Sequence, residues 1–236
     1  LVCLSDYMSR QASAIYPHLA GKFHKLSGGV DIRRFTPTAD RATVRRQLGI
    51  GEDALLLLTV RRLTARMGLE NLVRAMAIVG TKRADATLLI GGKGELHGKL
   101  QGLIDELGLD NVRLLGYVDD EALPRYYQAS DLFVMPTETM EGYGLSTLEA
   151  FASGLPVLGT DTGATPEILR DLLPGFVAKG VGPEALAGEI LRCLPLLEAV
   201  DRGELRRFAE ERSWVRVADR VEEVFEAVAG RQRGVA

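Results

Sequence analysis

Short runs of apolar residues alternate along the chain with stretches whose apolar positions recur every three or four residues. The runs fall at 55–60, 87–90, 112–115, 132–135, 156–158 and 175–178, and the helical spacing at 69–79, 95–107, 120–128, 147–152 and 166–169. Strand alternating with helix implies parallel strands joined by crossover helices. Strands without a polar face are what a sheet covered on both sides requires. The pattern predicts an α/β fold built on a doubly wound parallel sheet, whose ligands gather at the carboxyl ends of the strands. Helical spacing returns from 183 to 200, and residues 36–40 read only as a polar turn. Further on, Trp214, Val217, Ala218, Val221, Val224, Phe225 and Val228 form one apolar stripe, which packing on the same domain would bury.

Composition narrows the picture. The 236 residues suffice for one generous α/β domain, and a net charge of −3 provides no field that would gather nucleic acid or an anionic membrane. No apolar run reaches the length of a membrane span and no signal-peptide pattern opens the chain. Cys3 and Cys193 fit neither a disulfide framework nor zinc-ligand spacing, so a reducing, cytoplasmic setting is expected. Arginine pairs at Arg33-Arg34, Arg45-Arg46 and Arg61-Arg62 leave room for small anionic ligands, while His18, His24 and His97 read as solvated helix residues. The opening Leu1-Val2-Cys3-Leu4 lacks an initiator Met and starts inside an apolar run, the pattern expected of a piece cut from a longer chain.

The most informative stretch is Glu141-Gly142-Tyr143-Gly144-Leu145-Ser146-Thr147-Leu148-Glu149-Ala150, directly beyond the strand at 132–135. The glycines permit a tight turn and a close backbone approach. A helix beginning near Ser146 would aim its free N–H groups and positive dipole end into that turn, where a phosphate fits. Ser146 and Glu149 also have the spacing of a capping box. Two carboxylates beside one phosphate-ready helix start, each able to accept hydroxyl hydrogen bonds from a sugar diol, suit a nucleotide-sugar.

Glu141 to Glu149 resembles the E-x7-E element of the large family of retaining GT-B glycosyltransferases (family 4-like, glycosyl transferases group 1) that includes sucrose synthases and many bacterial mannosyl- and glucosyltransferases. Other segments match in order. Ser27-Gly28-Gly29-Val30-Asp31 resembles P-N-G-V-D, Arg62-Leu63 resembles G-R-L, and Gly91-Gly92-Lys93-Gly94 resembles G-x-G. Leu115-Gly116-Tyr117-Val118 resembles F-L-G-Y-V, Gly154-Leu155-Pro156-Val157 resembles G-x-P-V, Gly163 to Glu167 resembles G-G-x-x-E, and Ser213-Trp214 a late S-W. The resemblance implies a Rossmann-like half of a GT-B fold, the carboxyl-terminal, donor-binding half. Residues 1–25 would be the last strand and connection from an amino-terminal domain, 26–212 the nucleotide-sugar-binding domain, and 213–236 a terminal helix that in the family often packs across to the other half.

It also implies roles. Glu149 would hold the ribose hydroxyls, and Glu141 the donor sugar. The backbone of Tyr143, Gly144, Leu145 and Ser146 would take the distal phosphate, Tyr117-Val118 would lie along the base, and Gly92 and Gly94 would let a second loop approach the diphosphate. An NAD-type G-x-G-x-x-G reading of Gly92-Lys93-Gly94 fails at its third glycine, where His97 stands. The chain has no D-x-D, so no metal or other cofactor is expected, and cationic side chains must stabilise the departing diphosphate. In the family an arginine and a lysine five residues on do this. Here Arg62 is followed by Met67, so Arg66 is the substitute expected to share the task. Gly28 also departs from the usual asparagine.

The expected function is the donor domain of a metal-independent retaining hexosyltransferase using a UDP- or GDP-sugar, binding donor but transferring nothing by itself. Its expected partners are the nucleotide-sugar and the acceptor-binding amino-terminal domain, with membrane contact only for a lipid acceptor and no nucleic acid. The alternative is an inactive nucleotide-sugar-binding module, weakened at Met67, with a regulatory or interaction role. A nucleotide-sugar epimerase of the same architecture is disfavoured by the glutamate spacing together with the S-W end.

Overall fold

A computed structural model of the chain describes the backbone of residues 1–233 and the side chains of residues 1–229. The first residues form a small unit in which β1 (Val2–Cys3) and β2 (His24–Lys25) pair in parallel around α1 (Asp6–Ile15). Ser5 caps α1 through the Met8 N–H, and the Glu167 carboxylate accepts from the N–H groups of Asp6 and Tyr7 at 2.9 and 2.6 Å. That carboxylate fastens the unit to the main domain. His24 lies in β2 rather than in a helix.

After α2 (Arg41–Gln47) the main sheet begins: β3 (Leu55–Val60), β4 (Ala86–Gly91), β5 (Val112–Gly116), β6 (Leu132–Met135), β7 (Val157–Thr160) and β8 (Val177–Ala178). All its pairings are parallel, in the order β5-β4-β3-β6-β7-β8. The crossovers carry α3 (Leu69–Gly80), α4 (His97–Glu106), α5 (Leu123–Ala129), α6 (Leu145–Ala152) and α7 (Thr165–Leu172). The chain continues through α8 (Pro183–Cys193), α9 (Arg202–Glu210) and α10 (Trp214–Arg233). Leu56, Leu57 and Leu58 of β3 are fully buried because helices cover both faces of the sheet. On α3, Leu69, Leu72, Val73, Met76 and Val79 form a buried stripe, each large side chain stabilising the fold by roughly 1.5–3 kcal/mol.

The expected strands appear, with shifts at the far edge. The run at 156–158 becomes Val157–Thr160, and that at 175–178 keeps only Val177–Ala178 because a 3-10 turn occupies Pro174–Phe176. The stretch 183–200 is not one helix. Pro195 lacks an N–H to donate, and α8 gives way after Cys193 to a 3-10 segment, Leu194–Ala199. The stripe on α10 does not reach the expected burial: Trp214 is 56% and Phe225 69% exposed, while Val217, Val221 and Val224 are half-buried.

One of the three arginine pairs, Arg45-Arg46, is structural through its first member. Arg45 is buried and donates to Asp131 Oδ2 at 2.7 Å, and Arg41 takes the other oxygen at 2.6 Å. The same carboxylate accepts from Leu56 N–H, which ties α2 to the amino ends of β3 and β6. Arg34 is paired with Asp120. The Arg61-Arg62 pair follows β3, at the end of the sheet opposite Arg45.

Candidate functional site

Strand order reverses at β3: the chain builds outward through β4 and β5, then returns to lay β6 along the other edge of β3. Loops diverge at such a switch point and leave a crevice beyond the strand ends. The segments that bound it are 61–68 after β3, 92–96 after β4 and 136–144 after β6. Backbone hydrogen bonds stitch them together: Leu63 N–H to Lys93 O at 2.9 Å, Leu96 N–H to Leu63 O at 3.1 Å, and Glu138 N–H to Arg66 O at 2.9 Å.

Two glycines are required here for space. A Cβ on Gly92 (φ +136°) would lie 1.9 Å from Arg61 O, and one on Gly94 would lie 2.2 Å from Leu63 O. Both therefore bring the second loop against the backbone of the first, where the sequence pointed instead to an approach to the diphosphate. Gly28 has a like role: its Cβ would meet Leu145 Cδ2 at 2.4 Å and Tyr143 Cδ1 at 2.9 Å.

Helix α6 starts one residue earlier than the sequence suggests. Gly144 (φ +82°) occupies the N-cap position and Leu145 opens the helix, so Ser146 lies within the first turn. Its hydroxyl contacts Met135 Sδ at 3.3 Å, and the capping box does not form. The N–H groups of Tyr143, Gly144, Leu145 and Ser146 make no backbone hydrogen bond among the described residues. Four successive donors are thus left at the positive end of a helix dipole.

Glu141 stands beside them, its Cδ 3.8 Å from the Cβ position of Gly144. Its Oε2 accepts from Arg61 Nη2 at 2.8 Å and from Thr137 Oγ1 at 3.1 Å. Arg61 Nη1 donates to the same threonine hydroxyl at 2.8 Å, and Thr160 Oγ1 donates to Thr137 O at 2.6 Å. The Arg61 and Glu141 side chains are 6% and 12% exposed. Burial pulls the Arg61 guanidinium below its ordinary value, and the Glu141 charge opposes that shift.

Glu149, on α6, accepts at Oε2 from the fully buried Tyr127 hydroxyl at 2.7 Å. Burial raises its pKa above the usual glutamate value, against the Tyr127 hydrogen bond and the Arg34 charge. Burial, followed by the Glu149 charge, pushes the Tyr127 phenol well up. Both glutamates therefore have Oε2 engaged, with no hydrogen bond to Oε1 among the described residues.

Arg62 and Arg66 are exposed on the rim. Arg66 Nη1 holds the carbonyl of Met140 at 3.0 Å, and Met140 has φ +59°, the left-handed conformation that non-glycine residues rarely adopt. Met67 is buried and packs in the core. Tyr117 is exposed, with Lys93 Nζ 4.4 Å from its ring centroid, and Val118 is half-buried beside Gly91. The sequence singles out Arg61 only as half of an arginine pair and assigns it no role of its own. The signal was available, since side chains alternate at a strand end and two adjacent arginines there cannot face the same way; the G-R-L pattern, moreover, has glycine at that position.

Beyond β7, Gly163 (φ +62°) underlies the site, and Ala164 N–H donates to Glu141 O at 2.8 Å. A Cβ on Gly163 would fall 2.3 Å from that oxygen. Gly163→Ala is expected to lower stability by more than about 1 kcal/mol, read as a drop in Tm, from the left-handed backbone alone. An unchanged Tm would mean the loop moves freely.

A cavity of about 500 Å³ lies at the other end of the sheet, bordered by Leu55, Asp131, Leu194 and Arg202. The Asp131 carboxylate there is already consumed by Arg41, Arg45 and a backbone N–H. The crevice at the strand carboxyl ends, by contrast, is flanked by the N–H groups of Tyr143–Ser146, left free among the described residues, and by Glu141 and Glu149.

A monoacylated phosphatidylinositol monomannoside mannosyltransferase of Corynebacterium glutamicum, named as GDP-mannose-dependent, is 31% identical over 96% of this chain and 62% of its own length. Sucrose-phosphate synthase from Thermosynechococcus elongatus superposes with a TM-score of 0.84 at 26% identity, over 98% of this chain and 58% of that one. Anabaena HepE, solved with UDP and glucose, shares the fold with a TM-score of 0.80 at 21% identity, over 95% of this chain and 62% of its own. The chain thus spans less than two thirds of the length of these relatives. The family model described as "Glycosyl transferases group 1" matches residues 40–212, most of the chain, and this protein belongs to that family.

Proposed function

We propose that this chain binds a nucleoside-diphosphate-sugar across the β3–β6 crevice, as the donor-binding part of a metal-independent hexosyltransferase that retains configuration at the anomeric carbon. The observation that carries the reading is the run of four N–H groups at Tyr143–Ser146 without a partner among the described residues, flanked by two carboxylates that each keep one oxygen free of them. The distal phosphate sits on those N–H groups, and Arg62 and Arg66 add positive charge from the rim. Glu149 Oε1 accepts a ribose hydroxyl, and Glu141 Oε1 accepts a hydroxyl of the sugar. Tyr117 and Val118 border the base. Charge grows on the departing diphosphate as the glycosidic bond breaks. Fixed dipoles and cations in a partly enclosed site stabilise it without reorganising.

The acceptor belongs, in this reading, to a part of the protein outside these residues. Support comes from relatives whose own chains are much longer than the matched region. The base is open between guanine and uracil, the mannosyltransferase being named for GDP-mannose and HepE being solved with UDP. Calorimetric titration with GDP, UDP and ADP, and with their hexose conjugates, tests the proposal. At least one diphosphate should bind, and its monophosphate at least about tenfold more weakly for want of the phosphate that meets α6. Absence of binding to every member of the panel would sink it. The 236-residue chain should transfer sugar to no acceptor, and efficient transfer by it would refute that part. The burial of Met67 gives weight to a second reading, a binding module without turnover. Sugar transfer after joining the chain to an acceptor-binding half decides between the two.

A further inference from the structure

Arg61 has no part in the reading so far, yet it is the cation set most deeply into the crevice, with a side chain 6% exposed. A buried ion pair is a weak device for stability, because desolvating two charges offsets most of their attraction. Nor is the guanidinium placed to satisfy itself, for its buried Nε has no partner among the described residues. What its geometry does accomplish is to load one oxygen of Glu141. Nη2 donates to Oε2 directly, and Nη1 donates to Thr137 Oγ1, whose own hydrogen goes to the same Oε2. Thr160 in turn pins the Thr137 carbonyl. A carboxylate anchored by two donors on one oxygen cannot rotate without losing both. Its other oxygen is thereby held in one direction.

We propose that Arg61 is a positioning residue for the donor sugar: it locks the Glu141 carboxylate through Oε2 so that Oε1 is presented to a single sugar hydroxyl. This rests on the donor-binding reading and deepens it. The rival role, direct contact of Arg61 with the diphosphate, predicts a different pattern of losses. Arg61→Lys, Arg61→Ala, Glu141→Gln and the Arg61→Ala/Glu141→Gln pair are to be titrated with the nucleoside diphosphate that the parent binds and with its hexose conjugate. Expected is a selective loss of about tenfold in affinity for the conjugate in Arg61→Ala, with affinity for the bare diphosphate unchanged. Arg61→Lys, which keeps one donor, should recover part of the loss, and the double variant should be no worse than the poorer single one. Equal losses for conjugate and bare diphosphate would overturn the proposal in favour of a phosphate contact. Unchanged selectivity in Arg61→Lys and Glu141→Gln, or additive losses in the pair, would overturn it in favour of a structural role. If Arg61→Ala does not fold, as judged by its thermal transition, Arg61→Lys and Glu141→Gln carry the decision. A parent chain that binds neither ligand would instead bring down the donor-binding reading beneath it.

Discussion

Glu149→Ala is expected to weaken binding of a nucleoside diphosphate by at least about tenfold, because each hydroxyl hydrogen bond to a carboxylate contributes ~1.5–3 kcal/mol. The same change leaves the fully buried Tyr127 hydroxyl without its acceptor, at a cost of about 1–3 kcal/mol in stability. Affinity must therefore be measured on folded protein. Glu149→Gln separates the two effects, since its amide oxygen still accepts from Tyr127 while the charge is gone. A pH series adds a second readout. Burial raises the folded pKa of Glu149 above the usual 4.5, so its contribution to stability is fully present below 4.5 and lost as pH rises through the raised value. The ionised carboxylate is thus a stability cost near neutrality, although the proposed ribose contact uses the charged form. Affinity should begin to fall on acidification while the pH is still above 4.5, and Glu149→Gln should lack that step. The same variant should gain thermal stability over the parent near neutrality and lose the advantage in acid. Parallel affinity curves for parent and Glu149→Gln would show that the carboxylate does not meet the ligand.

The parts of this site that were legible in the sequence are those that depend on neighbours in the chain. A β3 run of four leucines followed by Thr59-Val60 can only be a strand buried on both faces, and its bounds at Leu55–Val60 agree with the pattern. Gly144 and the two glutamates belong to one short segment, so their juxtaposition follows from a turn and the first turns of a helix. The capping box did not survive because Gly144, in the left-handed conformation, starts α6 at Leu145 and moves Ser146 inside it. Helices α2 and α9 escaped because they are short and rich in arginine, and their signals are caps: Asp40 accepts from Thr43 N–H, Asp201 from Gly203 and Glu204. The link between Arg61 and Glu141 joins residues 80 positions apart. It exists only because β3 and β6 are neighbours in the sheet, which no local pattern encodes. The absence of lysine at position 67 was visible in the sequence, but only packing shows that the Met67 side chain turns into the core.

That last point changes what the rim arginines must do. With position 67 facing inward, the exposed cations that this loop can offer a diphosphate are Arg62 and Arg66. A guanidinium stays charged at any relevant pH and can hold two phosphate oxygens in its planar fork. Arg62→Ala and Arg66→Ala should each remove ~1.5–3 kcal/mol of binding to the diphosphate, and together about 3–6 kcal/mol, a loss of at least a hundredfold. The nucleoside monophosphate should lose far less. Arg66 carries a second burden, since its Nη1 also holds the carbonyl of Met140 immediately before Glu141. Arg66→Lys would keep the charge but surrender part of that fork, and should fall between the parent and Arg66→Ala. In an enzyme reassembled with its acceptor-binding half, Arg66→Ala should lower kcat more than it raises KM, because charge on the leaving diphosphate increases towards the transition state. Met67→Lys is the opposing control. A lysine there must either bury its charge or drag the loop outward, so it should lower Tm and leave the Arg66→Ala protein unrescued. Full recovery of diphosphate affinity in Arg66→Ala/Met67→Lys would instead mean that the loop turns position 67 towards the ligand when a cation is offered there. An unchanged affinity in the double arginine variant would remove both side chains from the site.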